Sequence, residues 1–521
     1  MKQLLSAVTH LLPSATAADA AARHGDIEIN GLYCRAQEVA PGGLFVALKG
    51  FSADGHDFIP QAVARGAAAV VSERPVDAGA PVIPVTNGRK ALARLAAEYF
   101  GHPSRRMTVV GITGTSGKTT TSYLLESMLQ AAGRSVGVIG TVNYRYGATV
   151  RPNPVTTPES LDLQRILADM YAAGVSHVVM EISSHALDLD RVHACQVDVA
   201  VFTNLSQDHL DFHHDMETYW ASKRRLFEEI LPAAAGKCSV RAVINIDDPR
   251  GAALAGSLPL RHWTTSQAGS ADVRVEEARF DLSGIRARLH TPRGALAIRS
   301  ALVGHHNLEN IRNAAGAALA LGLPLEQIAA GVAALVNVPG RLERVVDPAG
   351  RRFVYVDYAH KPDALEKALQ ALRAVTRDRI ICVFGCGGDR DRTKRPIMGA
   401  ISARLADLTV VTSDNPRTES PETIIEQIVA GVRREIPKGY TPAEIQTGFE
   451  RRGFAVEPDR RKAIALGIAA ARPGDTVLIA GKGHEPYQII GTEKFSFDDR
   501  IEAKQALTLL GKRSKEAAKR L

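Results

Sequence analysis

Two tryptophans and five cysteines are all that the 521 residues hold of those types, and aromatic residues make up only 5% of the chain. So little stacking surface argues against a protein that grips nucleic acid by its bases. The cysteines, at positions 34, 195, 238, 382 and 386, are odd in number, scattered and without a C-x-x-C pair. That excludes a disulfide frame and a cysteine zinc site, and fits reduced cytosolic thiols. Long apolar runs are missing too: no stretch reaches the roughly 18 residues a membrane span needs. The opening "MKQLLSAVTHLLPSATAADAAARHGD" has one lysine and an apolar stretch broken by His10 and Pro13, so it reads as an amphipathic first helix rather than an export signal. A cytoplasmic protein with no membrane span is expected.

What is present is the balance of a soluble globular protein, 45% hydrophobic and 23% charged. The length implies about three domains of ~100–200 residues each. Net charge is +8, but apart from the closing "GKRSKEAAKRL" the basic residues are dispersed. Such a field gathers small polyanionic substrates rather than nucleic acid.

Patterning divides the chain into three α/β domains, 1–104, 105–337 and 338–521. The first is a small mixed unit with strand-like "GGLFVALKG" and "AAAVVSE". In the second, "MTVVGIT", "SVGVIGT", "HVVMEIS", "VDVAVFTNL" and "RAVINID" alternate with helical stretches. Valine and isoleucine at nearly every position predict strands buried on both faces of a parallel sheet. After the hinge "NVPGRLERVV" a third, Rossmann-like series follows: "FVYVDYAH", "RIICVFG", "LTVVTSD" and "DTVLIAGKG". The stretch 436–459, "IPKGYTPAEIQTGFERRGFAVEPD", reads as an inserted, mobile surface segment.

Between the first buried strand of the central domain and the helical run from Ser122 to Leu129 lies "GITGTSGKTTT". A glycine-rich turn at a helix start surrounds one point with backbone N–H groups, which suits polyphosphate. Lys118 then reaches the terminal phosphates and Thr119 can hold magnesium. The full G-x-x-x-x-G-K-[ST] spacing is absent, since Ile112 stands five residues before Gly117. Downstream, Glu181 closes a buried strand, where a carboxylate can ligate metal or simply end the strand. His209 and His213 are four apart, but without the glutamate of H-E-x-x-H they do not read as a zinc protease.

Taken together, "GTSGKTT", "TTPES", "MEISSHALDLDR", "TNLSQDHLDFH", "YWASKRRLF", "GHHNLENIRNA", "GRLERV", "VDYAHKPDAL", "GCGGDRDRTKRP", "SDNPRTESP" and "GKGHEPYQ" resemble the ATP-dependent Mur ligases of peptidoglycan synthesis, in family order from about Gly31 to Arg500. The family is similar in carrying the shortened loop, so Ile112 is expected. The resemblance implies a uridine-binding first domain, a central ATPase domain and a carboxy-terminal domain that binds the incoming amino acid. It implies ATP and Mg2+ as cofactors, with Gly114, Thr115, Ser116, Gly117, Lys118, Thr119 and Thr120 around the phosphates. Metal ligands implied are Thr119, Glu181, His209 and Lys223, the last as a carbamate made with carbon dioxide. Asn307, Arg341 and Asp357, with Tyr358 and His360, correspond to the nucleotide's adenine, ribose and phosphate contacts; a helix cap, a hinge ion pair or a strand-end polar group are the alternatives.

The same resemblance assigns a UDP-linked muramoyl dipeptide to Cys34, Thr156, Thr157, Ser183, Leu189 and Arg191. Two positions depart from the family: its usual D-S-R reads Tyr33-Cys34-Arg35, and Leu189 stands where many relatives have glutamine. The second substrate implied is diaminopimelate, held by Arg390, Asp414, Asn415, Pro416, Arg417, Gly481 and Glu485. A guanidinium matches the distal carboxylate that distinguishes diaminopimelate from lysine, so Arg417 is its expected reader, with Arg390 for a carboxylate and Asp414 and Asn415 for the ammonium. The implied reaction activates the D-glutamyl carboxylate as an acyl phosphate, which the amine then captures, in a monomeric enzyme. Alternatives are a lysine-adding or folylpolyglutamate-type ligase of the same superfamily, a regulatory ATP-binding module, and a metal hydrolase built on His209 and His213.

Overall fold

The computed structural model describes residues 3–4, 24–51, 53–234, 236, 238–239 and 241–520. The expected first helix falls largely on residues 5–23, outside the described residues, and Gln3–Leu4 is a short strand. Two compact units are formed: one by Met1–Val275, Leu289–Leu296 and Glu309–Gly331, the other by Glu276–Arg288, Ala297–Leu308 and Val332–Leu521. Among the described residues no helix is long and apolar enough to cross a membrane.

In the first unit Gln3–Leu4 pairs with Glu28–Ile29 in a two-stranded sheet, beside two larger ones. The smaller of those two orders β1 (Gly31–Tyr33), β2 (Gly43–Val46), β3 (Ala67–Ser72) and β4 (Val82–Pro84), all parallel, with helix α1 (Gly88–Tyr99) capped by the Asn87 side chain. In the larger, β5 (Thr108–Thr113) lies between β7 (His177–Glu181) and β8 (Val199–Phe202); β6 (Val136–Ile139) flanks β7, and β9 (Ala242–Asn245) and β10 (His262–Ser266) follow β8. These strands are parallel, and β5 to β9 are buried along nearly their whole length, which is what their unbroken aliphatic sequences require. Register pairs Glu181 with Ile112 and Phe202 with Thr113. Glu181 and the chain after β8 therefore stand on either side of the loop that leaves β5, at the carboxyl ends where open α/β sheets bind ligands. Three further helices matter to the site: α2 (Lys118–Ala131), α3 (Ser160–Ala172) and α4 (Ser184–Asp188), with α5 (Met216–Arg225) behind them.

The second unit has a seven-stranded sheet. It orders β11 (Glu343–Val346), β12 (Phe353–Asp357), β17 (Thr476–Ala480), β13 (Ile380–Phe384), β14 (Leu408–Val411), β16 (Gly453–Val456) and β15 (Gly439–Tyr440), parallel except for β11. Phe384 is in register with both Ala480 and Val411, so the segments after β17, β13 and β14 emerge side by side. Beneath them Arg460, at the start of helix α6 (Arg460–Ala470), is fully buried. It donates to the Ser413 and Ala480 carbonyls and pairs with Asp499 at 2.6 Å, the first residue of the last helix, α7 (Asp499–Arg520).

One expectation is corrected. The 436–459 stretch is not a surface insertion: β15 and β16 extend the sheet, and Ile436, Ile445, Phe449, Phe454 and Ala455 are buried in its core. The prolines and glycines there punctuate two short strands and a helix, Pro442–Thr447, started by a Thr441/Glu444 capping box. The closing basic run continues α7.

Candidate active site

In the first unit, the loop from Gly114 to Gly117 is wired to the segment after β8. Thr115 N–H donates to the Asn204 carbonyl at 2.8 Å, Ser116 N–H to Asn204 Oδ1 at 2.9 Å, and the Thr203 hydroxyl to the Ser116 carbonyl at 2.7 Å. Two glycines are dictated by space and backbone. A Cβ on Gly114 (φ +147°) would lie 1.9 Å from Thr203 Oγ1, and one on Gly117 (φ +86°) 2.3 Å from Asn310 Oδ1. Glycine alone tolerates both demands.

Helix α2 begins at Lys118, which donates to the Gly114 and Thr115 carbonyls at 2.8 and 3.0 Å. Lys223, on the buried face of α5, donates to the same Gly114 carbonyl at 3.0 Å, and its ammonium lies 4.4 Å from the centre of the Tyr219 ring. Burial, and then the neighbouring Lys118, hold the Lys223 pKa well below the usual lysine range. The Tyr219 hydroxyl, 3.1 Å from Thr115 Oγ1, ties α5 to the loop.

Thr119 donates to Glu181 Oε2 at 3.0 Å. Thr141 donates to the same carboxylate twice, from its hydroxyl at 2.9 Å and its N–H at 3.0 Å. Glu181 is only 1% exposed. A hydroxyl and a carboxylate beside a phosphate-type loop form a hard oxygen donor set of the kind magnesium takes, so these residues fit that ion. No group of three or more His, Cys, Asp or Glu side chains is arranged to hold a metal among the described residues. His209 is the residue before a short helix, at φ +57°, with its ring 4.8 Å from that of His185 and 3.5 Å from Asp208 Oδ2. His213 is buried and bonds the Ser184 hydroxyl at 2.9 Å. The i, i+4 spacing therefore joins no two-histidine site.

Along the rim, the Thr156 and Thr141 hydroxyls are 3.1 Å apart, and buried Thr157 donates to the Glu181 carbonyl and accepts from Ser183 N–H. Ser183 caps α4, which ends at Leu189. Arg191 donates to the Thr157 carbonyl at 3.0 Å and approaches Glu159, which also takes Arg89 from α1 at 3.0 Å. Glu159, part of "TTPES" but not among the expected site residues, thus gathers guanidinium groups from α1 and from the turn after α4. Cys34 is half-buried; burial, then Glu159, pushes its thiol up to about 12, so it is a protonated weak donor here. Thr120 is buried in the first turn of α2.

In the second unit, Asn307 is nearly fully buried and donates to the Val303 carbonyl, which is helix-end work. Asp357 accepts N–H bonds from Leu342 and Ala359, and burial raises its pKa. The Arg341 guanidinium sits 5.5 Å over the Tyr358 ring, and His360 Nδ1 lies 2.9 Å from the Tyr358 carbonyl.

At the carboxyl ends of β13, β14 and β17, Arg417 adopts φ +52° and donates to the Gly388 carbonyl at 2.8 Å. Gly387 leaves room between Arg417 and the exposed Arg390, since a Cβ there would lie 2.9 Å from Arg417 Nη1 and 4.0 Å from Arg390 Cγ. Asp414 and Pro416 are buried, and a Cβ on Gly481 (φ +114°) would lie 2.5 Å from Asp414 Oδ2. The Arg417 guanidinium and the carboxylates of Asp414 and Glu485 thus lie near one another around Tyr487, whereas the exposed Arg390 donates to the carbonyl of its neighbour Asp389 at 3.0 Å. Asn415 differs from expectation. Its oxygen accepts from Ile489 N–H at 2.9 Å and from Lys482 at 3.1 Å, while its nitrogen donates to Glu485 at 3.0 Å. What remains of the amide is a donor, not an acceptor for an ammonium.

Fully buried Arg395 clasps this region from below, bonding Glu419 twice and the Gly387 carbonyl. The Arg395 guanidinium and the Asp389 N–H hold the Glu419 pKa at about 2, against 4.5 ordinarily. A depressed carboxyl stabilises the fold above its unfolded pKa, and that contribution drains away as pH falls from about 4.5 toward 2. Glu419→Gln should therefore lower the urea midpoint by a constant amount from pH 8 to 5, with the gap to wild type narrowing below about pH 4.5; a gap independent of pH to 3.5 would contradict the pairing.

Family models match three stretches: the Mur ligase family catalytic domain at residues 28–100, the Mur ligase middle domain at 112–318, and the Mur ligase glutamate ligase domain at 340–483. The UDP-N-acetylmuramoyl-L-alanyl-D-glutamate–2,6-diaminopimelate ligase of Geobacter metallireducens is 50% identical over 482 residues, 92% of this chain and 94% of its own. The protein of that name from Gloeobacter violaceus is 50% identical over 486 residues, 93% and 94% of the two chains. A solved structure bearing the same enzyme name aligns with a TM-score of 0.70 at 31% identity, covering 98% of this chain and 99% of the other.

Proposed function

The chain belongs to the Mur ligase family, and we infer from that membership that it is an ATP-dependent ligase joining diaminopimelate to the D-glutamyl carboxylate of a UDP-linked muramoyl dipeptide. It works on small molecules in peptidoglycan precursor synthesis, as a cytoplasmic monomer of three domains, 1–104, 105–337 and 338–521.

Lys118 and the N–H groups at the start of helix α2 receive the phosphates of ATP, and Lys118 neutralises charge on the phosphoryl group in transfer. Thr119 and Glu181 would hold magnesium, with His209 and carbamylated Lys223 completing the set. When bound, that ion supplies divalent charge against the phosphate oxygens. Lys223 is suited to its part because a neutral amine adds to carbon dioxide and releases a proton, turning a would-be repelling cation into an anion. For Asn307, Arg341 and Asp357 the family resemblance alone supports contacts to the rest of the nucleotide. Arg191, Thr156, Thr157 and Ser183 face the dipeptide, with Cys34 and Leu189 on its path. The D-glutamyl carboxylate takes the γ-phosphoryl group, ADP leaves, the diaminopimelate amine attacks the acyl carbon, and phosphate departs.

The observation that carries the choice of amino acid is the Arg417 guanidinium beside the carboxylates of Asp414 and Glu485 around Tyr487, with Gly387 and Gly481 leaving room. It complements a distal group that carries both carboxylate and ammonium. The test is phosphate release with the UDP-linked dipeptide, offering diaminopimelate and lysine separately. Arg417→Ala should raise KM for diaminopimelate by about 30-fold, the worth of a lost charge-assisted pair, and leave KM for ATP within twofold. Equal rises in both would contradict the assignment.

A further inference from the structure

A fully buried lysine lies inside the amino-acid pocket, unused by the chemistry above. Lys482 follows Gly481 at the end of β17 and has no exposed side-chain surface. Its ammonium donates to Asn415 Oδ1 at 3.1 Å and to Glu485 Oε2 at 3.4 Å, and lies 5.5 Å from the centre of the Tyr487 ring. With the Asn415 nitrogen on Glu485 Oε2 at 3.0 Å, the three side chains close a triangle. Ile489 N–H, a donor whose identity is not in question, fixes which end of the amide is oxygen. Rotating the amide by half a turn would set its NH2 against two donors and its oxygen against a carboxylate.

Resting on the diaminopimelate assignment above, we propose that Lys482 is a specificity-positioning residue: it locks the Asn415 amide with its nitrogen toward the pocket and half-neutralises Glu485. Two consequences follow from charge and donor counting. Asn415 keeps one N–H to offer, beside Arg417, to the distal carboxylate of the substrate, while Glu485 keeps Oε1 to accept from the distal ammonium. A substrate with a bare distal ammonium and no carboxylate, such as lysine, meets a carboxylate already paired and leaves the donors unanswered. Discrimination then comes from what the wrong substrate leaves unpaired.

The experiment uses the full-length enzyme with the UDP-linked dipeptide, measuring phosphate release for wild type, Lys482→Met, Asn415→Ala and the double variant. Expected are a rise of about 30-fold in KM for diaminopimelate in Lys482→Met, a KM for ATP within twofold, and at least a tenfold fall in the diaminopimelate-to-lysine ratio of kcat/KM, because the freed Glu485 now attracts a bare ammonium. In the Asn415→Ala background the same substitution should add less than threefold, since one residue acts through the other. Unchanged KM for diaminopimelate, parallel rises for both substrates, or fully additive effects would overturn the proposal. Should the methionine variant not fold, Lys482→Gln carries the test: it retains a donor, so KM for diaminopimelate should rise only severalfold with KM for ATP fixed, and no rise overturns the proposal. Wild-type enzyme that releases no phosphate with diaminopimelate would instead overturn the assignment of substrate.

Discussion

Lys118→Met should lower kcat by roughly 10³-fold, the scale on which a preorganised cation at a phosphoryl transfer acts, while leaving the melting temperature within a few degrees. Methionine matches the length of the aliphatic stem and removes only the ammonium. That ammonium bonds the Gly114 and Thr115 carbonyls, at 2.8 and 3.0 Å, so it is held by the glycine loop itself. Its position is therefore set before ATP arrives. Single-turnover phosphate release at saturating ATP isolates the chemical step from affinity. A loss smaller than tenfold would remove Lys118 from phosphoryl transfer.

Gly114→Ala should abolish measurable turnover, below about 1% of wild type, and destabilise the first unit by about 3 kcal/mol or more through overpacking and backbone strain combined. The new methyl would sit 1.9 Å from Thr203 Oγ1 and 3.0 Å from the Asn204 backbone, at φ +147°. Relief requires moving the segment after β8, which holds Thr115 and Ser116, or moving the Gly114 carbonyl, on which both Lys118 and Lys223 rest. Each route displaces a group to which the proposed reaction assigns a part. Calorimetric melting and ATP titration check it: retained ATP binding with an unchanged melting temperature would show that the loop has slack.

Much of the architecture was legible because its strands announce themselves. "MTVVGIT", "HVVMEIS", "VDVAVFTNL", "RIICVFG" and "DTVLIAGKG" became β5, β7, β8, β13 and β17, where two-sided burial demands unbroken aliphatics. Strands that face solvent on one side were harder to read. Val273–Asp281, Gly284–Thr291 and Gly294–Ser300 carry alternating residues, with Leu289, Leu296 and Ile298 buried between exposed neighbours, and a search for continuous runs passes over them. The 436–459 stretch hid two short strands behind its turn residues. At the site, the glycine loop and the lysine after it could be read from spacing. Lys223 could not, because beside Arg224 and Arg225 it looks like any helix-surface lysine; packing of α5 decides which of the three turns inward. Lys482, Arg395 and Arg460 escaped for the same reason: long cations are exposed by default, and only their spatial partners reveal otherwise.

Arg460 ties the last helix to the carbonyls that follow β14 and end β17. Because its counter-ion is Asp499, a chain ending before that residue would strand a desolvated cation directly beneath the ends of β14 and β17. The burial does not stop at Asp499: Ala503 and Leu507, on the next turns of the same helix, are packed into the core as well, so the helix is an anchor along its first turns and not only at its first residue.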